Sequence, residues 1–348
     1  MESPSQRFRF EQYFPLLSES GIEFEVQSFL SSHSWQLFFM GGRPLSKLLA
    51  LMKGFFRRIK ALTKMSQYDY VFIHREAAPV GPPLFEWIIG RILAKKIIYD
   101  FDDAIWATDK STETWWIKLI KWRSKVRAIC RWSYKVSCGN EYLTDFAKKY
   151  NNNVVLNPTT IDTLNRHDPS RKKQNRSQKE GVVIGWTGSH STLKYLINLA
   201  EVLKGIESRF PNVQIAVIAD RNPELRLNNF HFIPWKEETE IDDLMEFDIG
   251  IMPLPDEVWT RGKCGFKALQ YLALKIPAVC SPVGVNKKII ENGRNGFLCS
   301  TNDEWESALT TLINNIQLRH KMGEHGRIKV IDSYSVLSNS TNFLALFA

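Results

Sequence analysis

The chain has 348 residues, 44% hydrophobic and 24% charged, an ordinary globular composition long enough for two domains with full cores. Five scattered cysteines (Cys130, Cys138, Cys264, Cys280, Cys299) form no C-x-x-C pair, which argues against structural zinc and suits free thiols in a reducing cytosol. Net charge is +9 without a helix-turn-helix, zinc-finger or RNP-type signature, so nucleic acid is the weakest of the anionic partners; no window reaches the ~18 apolar residues of a membrane span, and no signal peptide is recognisable.

Residues 3–19 (SPSQRFRFEQYFPLLSE) read as a loop entering a helix, and Gly21 turns the chain into an expected strand over 22–29. In a parallel α/β domain a helix crosses between strands, so a strand is expected before that first helix. None precedes it here. Either translation begins upstream of Met1 or the first domain manages without its usual first strand. Next come an amphipathic basic helix over 45–62, a strand over 70–74, a helix over 82–93 and a strand over 97–101. That last strand ends in Asp100, Asp102 and Asp103, which suit a metal or a general base, or equally a helix cap with exposed neighbours. A Trp-rich helical stretch over 115–134, a strand over 136–138, a helix over 141–150 and a strand over 154–156 complete this half. Residues 43–64 and 115–135 each hold seven Lys or Arg and no acid. Basic amphipathic helices with tryptophan adsorb to anionic bilayers, although core packing is the commoner fate of any one such helix.

Residues 157–181 are polar, and the run SRKKQNRSQKEG within them carries no apolar residue, which reads as a linker. A second alternating series follows, with strands at 182–186, 213–219, 230–233, 249–254, 278–281 and 296–299 and a last helical segment from 304. Strand–helix alternation in both halves predicts two doubly wound α/β layers. The block VVIGWTGSHSTLKYL (182–196) runs from a buried strand into Gly188 and Ser189, small residues at the strand end where α/β folds bind ligands. The block DIGIMPLPDEVWTRGKCGFKALQYLALKIPAVCSPVG (248–284) predicts a strand, a polar loop and a helix opening at Gly265. A helix N-terminus offers unpaired N–H groups and partial positive charge; Gly265 clears the approach, Arg261 and Lys263 add cations, and Phe266 supplies an N–H. These features predict a diphosphate cradle, against the plainer reading of a solvated strand–loop–helix. In FIPWK (232–236), Trp235 offers a face on which a base could stack, or simply packs.

These blocks resemble the donor-binding half of family 4 glycosyltransferases, closest to a bacterial branch with a GKCGFKALQY-like block. The resemblance runs from about residue 3 to the C-terminus and is densest over 182–299. It implies the GT-B fold, two Rossmann-like domains facing a central cleft: an acceptor-binding domain over 1–165, a linker over 166–181, a nucleotide-sugar-binding domain over 182–325, and a helical segment over 326–348 packing back on the first domain. It implies a retaining glycosyltransferase that moves a sugar from a nucleotide-sugar to an envelope-polysaccharide, lipopolysaccharide or lipid-linked acceptor, with no metal and no other cofactor. A non-catalytic nucleotide-sugar-binding or glycosyltransferase-partner protein is the alternative on the same fold. A dinucleotide dehydrogenase is disfavoured because no G-x-G-x-x-G opens a βαβ unit.

Residue by residue, the resemblance gives Gly188, Ser189, Lys194, Lys263, Gly265 and Phe266 to the departing diphosphate. Trp186 stands where an arginine is common, so Arg261 or Lys263 would supply that charge. The family's paired-glutamate signature falls on Gly262 and Gln270; Gln270 can still reach a ribose, and Asp256 or Glu257 would replace the first carboxylate. Trp235 would meet the base. Asp102 falls where many members carry a histidine near the reacting sugar; His74, Arg75 and Glu76 end a neighbouring strand and would line the same cleft, with Arg75 and Glu76 meeting the acceptor. Arg7 and Arg9 would meet an acceptor phosphate. The expected location is cytoplasmic and peripheral, on an anionic inner membrane face.

Overall fold

The computed structural model describes residues 4–39, 42–108, 114–171 and 181–348. The chain forms two compact units, Met1–Pro158 with Ser340–Ala348, and Thr159–Asn339. Most of the run expected as a linker lies outside the described residues, while Arg166 and His167 already belong to the second unit. Among the described residues no helix is long and apolar enough to cross a membrane.

The first unit is built on a four-stranded parallel sheet in the order β1 (Tyr70–His74), β2 (Lys96–Phe101), β3 (Lys135–Cys138), β4 (Val154–Leu156). Past Lys96 every residue of β2 is buried, as a parallel strand covered on both faces requires. The β1/β2 register sets His74 opposite Asp100, so their side chains emerge at the same end of the sheet. Phe72 of β1 packs on Phe10 (ring centroids 5.5 Å) and Phe343 (6.4 Å), and Tyr13 stacks on Phe343 at 4.0 Å. Phe10, the turn Glu11–Tyr13 and the helix Ser340–Leu344 therefore cover this part of the sheet.

Several expected elements differ. Residues 22–28 form no strand. A strand needs a partner's backbone, and carbonyls in this segment bond to side chains instead: Arg58 reaches the Gln27 oxygen at 2.9 Å and Arg57 the Ser28 oxygen at 3.3 Å. The Trp-rich helical stretch breaks into Trp115–Lys121 and Lys125–Trp132, because Trp122 takes a left-handed backbone (φ +46°) that no right-handed helix can contain. The expected helix over 82–93 is a short turn, Leu84–Trp87, passing into a π-helix, Ile88–Ile92.

The second unit carries a six-stranded parallel sheet: β5 (Val182–Gly188), β6 (Val213–Ala219), β7 (Phe230–Pro234), β8 (Ile249–Met252), β9 (Ala278–Cys280) and β10 (Gly296–Leu298), in the spatial order β10-β9-β8-β5-β6-β7. One layer of its core gathers Ile184, Trp186, Leu203, Ile206, Val217 and Leu309. On β5, a Cβ at Gly185 would lie 2.0 Å from the Phe247 ring, and on β8 one at Gly250 would lie 2.3 Å from Tyr271. Those glycines let two aromatic rings lie flat on the sheet. From β5 the chain winds outward through β6 and β7; from β8 it winds the other way through β9 and β10. The carboxyl ends of β5 and β8 thus flank a topological switch point, where loops diverge and leave a crevice.

Candidate functional site

The loops after β5 and β8 converge at that switch point. Lys267, in the first turn of helix Phe266–Ala273, holds its ammonium 5.3 Å over the Trp186 ring of β5, and the Tyr271 hydroxyl on the same helix accepts the Thr187 N–H at 3.0 Å. Lys267 was not singled out in the sequence, yet it brings a cation to the place where Trp186 replaces the expected arginine. Gly188 is a glycine because of that tryptophan: a Cβ there would fall 2.5 Å from the indole and 2.8 Å from the Thr192 hydroxyl. Ser189 is exposed, and its hydroxyl pairs with that of Ser191 at 2.8 Å. His190, also missed, joins the Asp220 carboxylate at the end of β6 through Nδ1 at 2.6 Å. Lys194 is exposed, its ammonium 5.1 Å from the Tyr195 ring.

Beyond β8, Gly265 precedes the helix with φ +67°, and a Cβ would meet Ile289 at 2.2 Å. Backbone handedness and this packing both demand glycine, whereas the sequence suggested only clearance for an anion. Lys263 is half-buried with its ammonium 5.3 Å from the Trp259 ring. Arg261 is engaged with Asp256 at 2.6 Å, and Glu257 caps the turn Val258–Arg261. Both acids proposed to replace the missing first glutamate are therefore already in use.

Two expected donor contacts meet on a residue the sequence did not single out. Glu240, 3% exposed, accepts the Trp235 indole N–H at 3.3 Å and the Gln270 amide at 3.5 Å, and pairs with Arg166 at 3.0 Å. Gln270 is itself buried, with His167 3.5 Å from its amide. Glu240 sits in an acid-rich run, EETEIDD, where nothing local marks which acid turns inward.

In the first unit a charged network closes the carboxyl ends of β1 and β2. Asp100 is fully buried and receives Arg9 through Nε at 3.2 Å and through Nη2, the Ser137 hydroxyl at 2.6 Å, and His74 Nδ1 at 2.8 Å. Ser5 bridges His74 Nε2 (2.8 Å) and Asp102 (2.6 Å), while Arg75 reaches Asp102 at 2.9 Å and Asp103 at 2.7 Å. An ionised carboxylate only accepts. Ser5 therefore donates its one hydroxyl proton to Asp102, with His74 Nε2 on its other side. Burial raises the Asp102 carboxyl, but Arg75, His74, Arg9 and Ser5 outweigh it and hold the group well below the usual range. Asp102 is thus a fixed anion rather than a ready proton acceptor.

The expected acceptor contacts divide. Arg75 lies within this network. Arg9 is 1% exposed, its guanidinium spent on Asp100 and the Asn157 carbonyl, and Arg7 is buried beside the Phe8 ring. Glu76 pairs with the buried Lys125 at 2.6 Å. Ser5 carried no signal in the sequence, because a serine near a chain start is ordinarily solvated.

Residues 168–329, inside the second unit, match the family described as glycosyl transferases group 1. Anabaena HepE, solved with UDP-glucose, superposes with a TM-score of 0.65 at 15% identity, covering 99% of this chain and 93% of that one. Sucrose-phosphate synthase from Thermosynechococcus elongatus gives 0.66 at 14% identity over 88% and 79%. The fold is GT-B. A Haemophilus influenzae protein named an uncharacterized glycosyltransferase is 25% identical over 228 residues, which are 61% of this chain and 60% of that protein.

Proposed function

We propose that this protein is a retaining glycosyltransferase that takes a sugar from a nucleotide-sugar bound on the second unit and passes it to an envelope-polysaccharide, lipopolysaccharide or lipid-linked hydroxyl. The observation that carries this reading is the coincidence of the group 1 match with the switch point, where Gly188, Trp186 and Lys267 bring a glycine turn and a cation together. Lys263, Lys267 and Lys194, with the N–H groups that open helix Phe266–Ala273, would stabilise charge on the departing diphosphate, the largest catalytic contribution for such chemistry. The anomeric carbon–phosphate oxygen bond breaks as the acceptor hydroxyl forms the new bond on the same face, and the hydroxyl proton leaves on the diphosphate. Asp102, held ionised, would steady positive charge on the sugar. No resident cofactor enters this scheme.

A panel of nucleotide-sugars tested by thermal shift identifies the donor, since a ligand of the native state raises the midpoint by mass action. Donor turnover is then followed by chromatography, and the anomeric configuration of the product by proton NMR. Absence of stabilisation by any nucleotide-sugar or nucleoside diphosphate would overturn the reading.

A further inference from the structure

Helix Pro44–Leu62 packs on the first unit through its small face. Ala50 and Gly54 are buried, a Cβ on Gly54 would land 2.5 Å from the Phe29 ring, and Phe55 meets Phe29 at 5.4 Å and Phe85 at 5.9 Å. Leu45, Leu48, Leu49, Met52, Phe56 and Ile59 recur at helical spacing and are 54–75% exposed. Helix Trp115–Lys121 likewise exposes Trp115 (60%), Trp116 (58%), Leu119 (56%) and Ile120 (54%).

The two helices are tied to one stretch of chain. Arg58 Nε donates to the Ala77 carbonyl at 2.8 Å, and the Ile120 carbonyl accepts the Gly81 N–H at 2.8 Å. Leu84, just beyond, is 53% exposed. The two helices therefore flank the segment 77–84, and cations accompany their apolar side chains: Arg43, Lys53, Lys60, Lys64 and Lys121 are all exposed.

So many large apolar side chains exposed on two helices tied to one segment are rare on a protein surface that nothing covers. A second copy placed by two-fold symmetry would set these cations against their own kind. A nucleic acid would neutralise the cations and leave the aliphatic stripe in water. An anionic bilayer accommodates both, since headgroup phosphates meet the lysines while leucines and phenylalanines enter the acyl boundary with tryptophans at the interface. We propose that this face docks the first unit on an anionic phospholipid bilayer, with helix Pro44–Leu62 lying in the headgroup layer. The proposal does not rest on the sugar-transfer reading.

The full chain is floated with vesicles of phosphatidylcholine, with and without phosphatidylglycerol. Binding is expected to rise with phosphatidylglycerol and fall steeply with salt. The triple change Lys53→Glu, Lys60→Glu, Lys64→Glu should lower partitioning tenfold or more. Arg57 and Arg58 are left intact because they hold the Ser28, Gln27 and Ala77 carbonyls. Met52→Glu with Phe56→Glu should reduce binding at every salt concentration. Brominated lipid should quench tryptophan fluorescence of the unmodified chain, and the Trp115→Phe, Trp116→Phe variant should lose part of that quenching. Equal binding to neutral and anionic vesicles, or none to either, overturns the proposal. So does a sedimenting dimer that Met52→Glu with Phe56→Glu dissolves while vesicles remain unbound, which would assign the face to a second copy.

Discussion

Asp100→Asn is the most informative single change in the first unit. The carboxylate is fully buried and offsets Arg9, itself 1% exposed, while also accepting from His74 and Ser137. Asparagine keeps the shape but removes the charge and turns one acceptor into an N–H facing donors. Removing one partner of a buried ion pair costs about 3–5 kcal/mol, because the other charge stays buried without its counter-charge. At an m-value of about 2 kcal/mol/M the urea midpoint of the first unit should fall by about 1.5–2.5 M. Urea unfolding followed by hydrogen exchange in β1–β4 reads this unit separately from the second. Adding Arg9→Met to Asp100→Asn should recover part of the loss, since no lone charge then remains. A loss under about 1 kcal/mol, or strict additivity of the two changes, would refute the argument that this pair closes the sheet end.

Lowering the pH tests the same network. Asp100 and Asp102 both have depressed carboxyls in the folded state, so their stabilisation is present above the ordinary aspartate value near 4 and is lost as pH falls below it toward the folded values. Acid unfolding of the first unit should therefore shift toward neutrality in Arg75→Ala, and an unchanged acid midpoint would count against the ion pair. Asp102→Asn should lower turnover by roughly 100-fold with donor affinity nearly intact, measured by steady-state kinetics beside calorimetry. Lys263→Ala should weaken a nucleoside diphosphate by more than about 1 kcal/mol, and unchanged affinity would remove Lys263 from the cradle. Gly265→Ala should destabilise the second unit by about 1–3 kcal/mol through its Ile289 contact and left-handed backbone, which a chemical melt checks.

The alternation of strands and helices was legible in the sequence because parallel strands buried on both faces must be short apolar runs between turn residues, and that information is local. Strands Tyr70–His74, Val154–Leu156 and Val213–Ala219 fall where the pattern set them, and the other seven lie within two residues of it at either end. The glycine turn at Gly188 and the helix opening at Gly265 were legible for the same reason, although packing against Trp186 and Ile289 gives both glycines a cause beyond an anion's approach. Residues 22–29 had a strand's composition, yet they pair with no strand among the described residues. Arg9 looked like a loop cation until Asp100, 91 residues away, drew it into the interior. Glu240 and Ser5 matter through partners 30 and 69 residues distant. The apolar stripe of helix Pro44–Leu62 had the period of a core face, yet Ala50 and Gly54 point inward and the larger side chains outward. Periodicity tells that a helix has two faces; which one is buried depends on the shape of what it packs against, and only the tertiary structure decides that.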